Sequence, residues 1–322
     1  MKKTWIAAAL IGCLNLGAAH AQTDAAFPSR SVRIVVPFAA GGTSDVLART
    51  LGQKLSEVWK QPVVVENRAG ADGNLGADSV AKSRPDGYTL LLVDTSTLTI
   101  SPVVMSKMNY DPLKDLQPVS MLSFSAYGLV VNPKVPVKTF RELVAYSKAN
   151  PAKLNFSAGT MGHKLAAAQL KSVSGLDWLT VPYKGGAMAL NAVVSGEADA
   201  TMVGLLSVIP QVQGQRVRAL AVTGLARSDT LPDAPTLAES GLSGFIAGSW
   251  QGVLVPKGTP EAIVQKLNVG FAAVLRDPEI KARLAAQGTE AIGDSPETFA
   301  AFLENDSKRW KAIAADAGIR PE

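Results

Sequence analysis

Apolar and polar positions repeat in an alternating order along most of the chain. Arg33 to Phe38 (RIVVPF) is a short, mainly apolar run of the kind a buried strand shows. Leu47, Leu51, Leu55 and Trp59 then recur every four residues and mark one face of a helix over residues 44–59. Val63 to Val65 predicts a second strand, ending in Glu66-Asn67-Arg68. Gly70, Gly73 and Gly76 open the loop after it, and a shorter helix follows through Lys82. Pro85-Asp86-Gly87 makes a turn before a third strand, Tyr88 to Val93. This order predicts a parallel sheet with crossover helices.

The pattern changes near residue 120. Val119 to Leu122 and Gly128 to Asn132 are two short extended runs with Ser123-Phe124-Ser125 between them. The alternation then restarts, with helices over 139–149, 163–173 and 187–194 and strands over 154–156, 179–183, 200–203 and 218–222. Residues 230–245 are rich in Pro, Gly and Ser and predict a long connection before one more strand, Gln251 to Val255. Pro260 to Leu275, Pro278 to Gln287 and Pro296 to Ala314 predict three terminal helices with Pro near the first turn.

Two alternating blocks predict two α/β lobes, each a mostly parallel sheet flanked by helices. The first block has too few helices to cover both faces of its sheet, so the terminal helices are expected to return to it. Lobe 1 is then 22–124 plus 246–322, and lobe 2 is 125–245. The chain crosses near Ser125 and again across 225–249. A ligand would sit between the lobes, outside the carboxyl ends of the strands.

The N-terminus carries an address. Met1-Lys2-Lys3 is basic, Trp5 to Gly17 is mostly apolar, and Ala19-His20-Ala21 is a small-x-small cleavage site. This predicts a secretory signal peptide over 1–21 and an exported, periplasmic protein. Leu10-Ile11-Gly12-Cys13 resembles a lipobox, the competing processing site, but the apolar run before it is short. Cleavage after Ala21 leaves 301 residues and lowers the formal net charge from +5 to +3. It also removes the only Cys and one of the two His, leaving His163. Cys-based zinc, iron–sulfur and thiol chemistry are then excluded, and neither a metal nor a cofactor is expected. No basic stripe points to nucleic acid.

The specific signal lies in loops. Phe38-Ala39-Ala40-Gly41-Gly42-Thr43-Ser44-Asp45 joins the first strand to the first helix. Its glycines permit a tight turn, and Thr43 or Ser44 can cap the helix. Backbone N–H groups at such a helix start bind anions without Arg or Lys. Asp45 either orients the loop or accepts hydrogen bonds from a ligand. Ser157-Ala158-Gly159-Thr160-Met161-Gly162-His163 occupies the equivalent place in the second block. Facing each other, the two loops suit a solute with carboxylate ends. His163 donates to that anion or fixes the loop, the structural role being the simpler one. Thr95 and Ser96 follow the third strand and can reach the cleft or cap a turn. Tyr183 ends another strand beside Lys184, which suits a solvated loop charge. Gly204 and Leu205 end the strand over 200–203 and can contact an uncharged part of a ligand. Glu197 and Asp199 suit solvated turn acids.

Enzyme motifs are missing. Gly248-Ser249-Trp250-Gln251-Gly252 has its Ser one place too early for GxSxG, and no HExxH, GxxxxGK[ST] or GxGxxG occurs. The competing functions are an exported hydrolase or isomerase using the same cleft, and a sensor subunit presenting its ligand to a membrane kinase.

The chain resembles the extracytoplasmic solute-binding proteins of the tripartite tricarboxylate transporters, the Bug receptors. The carriers run from Pro28 to about Arg320: VRIVVPFAAGGTSDVLAR, VVVENRAGADGNLGA, PDGYTLLL, LNFSAGTMGHKLAA, VPYKGGAMALNAVVSGEAD, RALAVTG, LPDAPTLAESGLSGF and GVLVPKGTPEAIVQKLN. The resemblance implies a type II-like, two-lobed periplasmic-binding-protein fold with a hinged cleft. It implies a soluble receptor that hands a carboxylated solute to a two-component membrane transporter; a non-enzymatic role and a monomer are expected. It also implies that main-chain amides and waters of residues 38–45 and 157–163 hold the ligand carboxylate. Two departures matter. His163 directly follows Gly162, where the family usually places its His further along. Gly204 stands where an acid is common, which favours an aromatic carboxylate or a dicarboxylate over an amino acid.

Overall fold

The computed structural model describes residues 27–319 and 321. The expected signal peptide over 1–21, with Cys13 and the expected cleavage site after Ala21, lies outside the described residues. The chain opens with β1 (Val32–Val36), α1 (Thr43–Trp59), β2 (Val63–Asn67), α2 (Asn74–Ala81) and β3 (Thr89–Asp94). A π-helical turn, Ser96–Ile100, runs from β3 into the short α3 (Ser101–Val104). Next come β4 (Leu116–Val131), α4 (Phe140–Ala149), β5 (Asn155–Ala158), α5 (Met161–Ser174), β6 (Leu179–Pro182), α6 (Gly186–Ser195), β7 (Ala200–Gly204), α7 (Leu205–Gln213) and β8 (Arg218–Val222). The chain ends with β9 (Gly248–Pro256), α8 (Glu261–Leu275), α9 (Pro278–Ala285), β10 (Glu290–Ala291) and α10 (Pro296–Asp316).

The strands form one path, β2-β1-β3-β9-β4-β7-β5-β6, with β8 and β10 also on β4. Each lobe contains a parallel set, β2-β1-β3 in one and β7-β5-β6 in the other. The remaining pairings are antiparallel, so both sheets are mixed. β4 belongs to both lobes. Its residues from Leu116 to Ala126 pair with β9, and those from Tyr127 to Val131 pair with β7. β9 lies between β3 and β4, within the sheet of the first lobe.

Several local expectations are corrected. The break foreseen at Ser123-Phe124-Ser125 does not occur, because these residues stay paired with Gln251, Trp250 and Ser249. Register shifts between Pro118 and Ser120, and between Met121 and Ser123, bend the strand without ending it. Thr43 and Ser44 do not cap α1; Gly42 occupies the cap position and no side chain bonds there. The apolar pattern also leaves α7 unmarked, and its interior Pro210 weakens the usual helical signal.

Burial explains why the terminal helices return. Leu47, Leu51 and Leu55 of α1 pack over β1 together with Val264, Leu267 and Phe271 of α8. On the opposite face, Ala77 and Val80 of α2 share a core with Phe299 and Leu303 of α10 around Trp250. The second lobe has its own core, in which Phe156 and Trp178 stack with ring centroids 4.5 Å apart. α10 goes further than expected: Trp310, Ile313 and Ala314 meet Leu165 of α5 and Ile100. It therefore touches both lobes. Among the described residues, no helix is long and apolar enough to cross a membrane.

Candidate functional site

Strand direction places the site. β1 and β3 run parallel, so the loops after them emerge at one edge of the first sheet. β5, β6 and β7 are likewise parallel and open at one edge of the second. β4 connects the two edges. Ser123 is level with Gln251, which pairs with Asp94, whereas Tyr127 pairs with Gly204. The edges are thus four residues apart on β4, about 13 Å at roughly 3.3 Å per residue. Phe124, Ser125 and Ala126, each half-buried, form the floor between them.

The first loop is held from below by Asp45. Its carboxylate accepts from Gly41 N at 2.8 Å, Asn67 Nδ2 at 2.9 Å and Arg49 Nε at 3.1 Å. Asn67 Nδ2 also donates to the Phe38 carbonyl at 3.1 Å. Hydrogen bonding from Arg49 holds the Asp45 carboxyl at about 2, below its usual range, despite its burial. Asp45 is thereby committed to shaping the loop, and Ser44 beside it is buried. Ala39, Ala40, Gly41, Gly42 and Thr43 remain exposed above, with Phe38 half-buried. Gly41 has φ +82°, a left-handed conformation that favours glycine. The uncapped start of α1 leaves main-chain donors and the positive end of a 17-residue helix facing outward.

Neighbouring loops close around it. A β-carbon at Gly73 would come 2.3 Å from Thr97 Oγ1 and 3.3 Å from the Phe38 ring, so these segments touch only because residue 73 has no side chain. Thr97 Oγ1 donates to the Asp72 carbonyl at 2.9 Å. Asp94 ends β3 and accepts from Ser96 N at 3.0 Å and from the Ser96 hydroxyl. Burial raises its pKa, against these bonds. Thr95 is buried, and Trp250 N donates to its Oγ1 at 2.9 Å; its hydroxyl is tied to β9.

In the second lobe, Gly159 is required by close approach. A β-carbon there would lie 2.2 Å from the Gly185 carbonyl carbon, and Gly185 N donates to the Gly159 carbonyl at 2.9 Å. Thr160 caps α5, accepting from His163 N at 3.1 Å. Ser157 and Ala158 are fully buried, and the Ser157 hydroxyl donates to the Ala189 carbonyl at 2.7 Å. Tyr183 gives its hydroxyl to Glu197 at 2.9 Å. Glu197 is therefore a partner as well as a turn acid. Asp199 likewise accepts from Asn155 N at 2.7 Å and fastens β5. Gly204 borders open space, with no atom within 4 Å of a β-carbon placed there. Leu205 beside it is buried.

His163 is 7% exposed, with its ring edge-on to Tyr127 at 4.9 Å. Its Nδ1 is buried without a partner among the described residues, and burial pulls the imidazole down to about 4. The ring is neutral at pH 7 and offers no charge to an anion.

Three contributors escape the motifs. Tyr127 lies in a strand with no loop signal, yet reaches toward Gly162 with its hydroxyl 3.6 Å from where a β-carbon would stand. Asn67 belongs to a strand end, and its amide ties the first loop. Gln251 is buried with Oε1 unpartnered among the described residues, beside a cavity of about 20 Å³ lined also by Thr43, Ser123 and Thr289. Thr289 further lines a groove of about 610 Å³ between the lobes, with Phe124, Leu205, Leu225 and Lys281 on its walls.

Residues 47–319 match the family described as the tripartite tricarboxylate transporter family receptor. Protein BugT of Bordetella pertussis is 35% identical over 299 residues, covering 91% of each chain. A solved structure described as R. palustris Rpa4515 with adipate is 35% identical, with a TM-score of 0.76 over 92% of this chain and 100% of that one. MatC from Rhodopseudomonas palustris with bound malate is 32% identical, with a TM-score of 0.71 over 89% of this chain and 99% of that one.

Proposed function

We propose a function from one premise: the chain belongs to the tripartite tricarboxylate transporter receptor family. Members are solute-binding receptors, and this chain captures a carboxylated small molecule for a membrane transporter. In the finer reading it is exported to the periplasm after cleavage at Ala21, works as a monomer, and releases its solute chemically unchanged. Adipate and malate in two similar proteins support a carboxylate as the ligand.

The observation that carries this reading is the pair of glycine-dependent loops facing each other across β4. One leaves the start of α1 uncapped, so an anion can take the orphaned N–H groups. The other holds Gly159 against Gly185. Neither loop brings a cation of its own, and Arg49 is already bonded to Asp45 and Asn67. Main-chain donors and bridging water are the natural hold on a carboxylate here.

Gly204 and the leucines beside it shape the choice of solute. An ammonium group would find no carboxylate at Gly204, whose surroundings are open. Leu205, Leu225 and Phe124 supply apolar surface along the adjoining groove, and Lys281 a positive charge. A dicarboxylate or an aromatic carboxylate fits these walls better than an amino acid. Closure of the lobes over the bound solute would then present a shape the transporter recognises. The test is calorimetry with adipate, malate, benzoate and aspartate. The reading expects saturable binding of a carboxylate without an α-amine and weaker binding of aspartate. Tightest binding of aspartate would refute the solute preference.

A further inference from the structure

A second concave surface lies at the far end of the first lobe. It is a groove of about 480 Å³ between α10 and the segment leading into β4. Its apolar lining comes from Pro112, Leu113, Leu116, Pro118 and Leu303. Leu116 opens β4, seven residues before Ser123, so the groove lies at the start of the strand while the cleft floor lies at its middle. Leu113 is 43% exposed, a large apolar side chain left to water.

The rim is cationic. Lys257, Lys308 and Lys311 line the groove, and none forms an ion pair among the described residues. Glu304 is the one acid on the lining. The nearby Asp111 is occupied by Lys114 at 2.8 Å, and Asp115 accepts from Asp111 N at 2.7 Å. An apolar slot edged by unpaired lysines complements an acidic segment that carries a protruding apolar side chain. The slot is concave and takes in a side chain; it presents no apolar wedge of its own for insertion into lipid.

α10 gives this surface its meaning. Glu304, Ser307, Lys308 and Lys311 line the groove, while Asp306 on the same helix accepts from Thr99 Oγ1 at 2.7 Å, at the π-helical turn beside the cleft. Two turns beyond Asp306, Ile313 and Ala314 pack against Leu165 of the second lobe. A partner seated on α10 therefore touches the helix that meets both lobes and the cleft edge.

We propose that this groove is where the receptor docks on an acidic, apolar-tipped segment of the membrane transporter that takes its solute. The proposal rests on the receptor reading and goes beyond it by naming the surface. The test is the double variant Lys308→Glu/Lys311→Glu beside Lys308→Arg/Lys311→Arg. Each is assayed by calorimetry with the carboxylate the wild type binds, and by uptake of that carboxylate in cells lacking the native receptor. The charge-reversed variant should keep its Kd within twofold while uptake falls at least tenfold, and the arginine variant should retain uptake. Unchanged uptake with unchanged Kd would overturn the docking surface. Two controls carry the rival occupants, phosphatidylglycerol vesicles and sedimentation velocity. Loss of vesicle binding or of a dimer upon charge reversal would overturn it in favour of lipid or a second copy. If the wild type binds no carboxylate at all, the receptor reading falls, and this surface with it.

Discussion

The indole of Trp250 donates to Asp306 Oδ2 at 3.0 Å, joining β9, an inner strand of the first lobe, to the last helix. The same oxygen accepts from Thr99 Oγ1 at 2.7 Å and from Trp310 Nε1 at 3.1 Å, and the other oxygen meets Arg309. Arg309 in turn donates to the Ile246 carbonyl at 2.6 Å, where the chain returns from the second lobe. One buried carboxylate thus fixes the π-helical turn, β9 and the return crossing together. Asp306→Asn removes the charge facing Arg309 and turns an amide toward donors. It should lower stability by about 3 kcal/mol, the scale for breaking a buried ion pair. Urea denaturation measures this, and a midpoint equal to wild type would contradict the role.

Gly41 and Gly42 are adjacent but should respond differently. Gly41 has φ +82° with nothing near its would-be β-carbon, so Gly41→Val is penalised by conformation, not by a clash. That penalty is about 1–2 kcal/mol, or roughly tenfold in affinity if the loop shifts to relieve it. Gly42 has φ −75°, which any residue adopts, and Gly42→Ala should change affinity by about twofold at most. Calorimetry on both variants distinguishes them; equal losses would remove backbone conformation as the cause.

Gly204→Asp tests what the open space does. The backbone there, φ −54° and ψ 141°, suits any residue, so stability should stay within about 0.5 kcal/mol. A carboxylate at roughly 5 Å from a bound anion opposes it by ~3 kcal/mol at an effective dielectric of about 20, near a hundredfold in affinity. Binding of α-amino dicarboxylates should improve relative to their deamino analogues. An unchanged preference would place the solute away from Gly204.

A buried group and a half-buried one give opposite pH slopes. Burial pulls His163 from 6.5 to about 4, so the unfolded chain takes the proton first. Its contribution makes stability fall as pH drops from 6.5 to 4, by up to ~3 kcal/mol. Burial raises Asp294 from 3.8 to about 6, so the folded chain takes that proton first and gains stability as pH drops from 6 to 4. In the wild type these two contributions oppose each other across this window. Relative to wild type, His163→Phe should gain stability on acidification and Asp294→Asn should lose it. Denaturation at pH 4.5, 5.5 and 6.5 reads the slopes; parallel slopes in all three proteins would reject the assignment.

What could be read from residue order was largely local. The four-residue spacing of Leu47, Leu51 and Leu55 gave away α1, and paired glycines after the apolar runs pointed to the two loops. Helices with N-terminal Pro, such as α9 and α10, were equally plain. The role of β4 as a shared strand was hidden because Ser123, Phe124 and Ser125 look like a break. Their pairing depends on β9, more than a hundred residues later. Likewise Asp306 finds Thr99 across 207 residues of sequence, with no local pattern to announce it. Thr95 and Ser157 carry hydroxyls suited to a ligand, yet burial commits both to the main chain.

The central claim is that main-chain donors of the loops at Phe38–Asp45 and Ser157–His163 hold a carboxylate between the lobes. Its most direct measurement is calorimetry with a bound carboxylic acid and the matching methyl ester, with the recovered solute checked by mass spectrometry. The account predicts saturable 1:1 binding of the acid, no measurable binding of the ester, and recovery of the acid unchanged. Equal affinity for acid and ester, or conversion of the acid into a product, would contradict it.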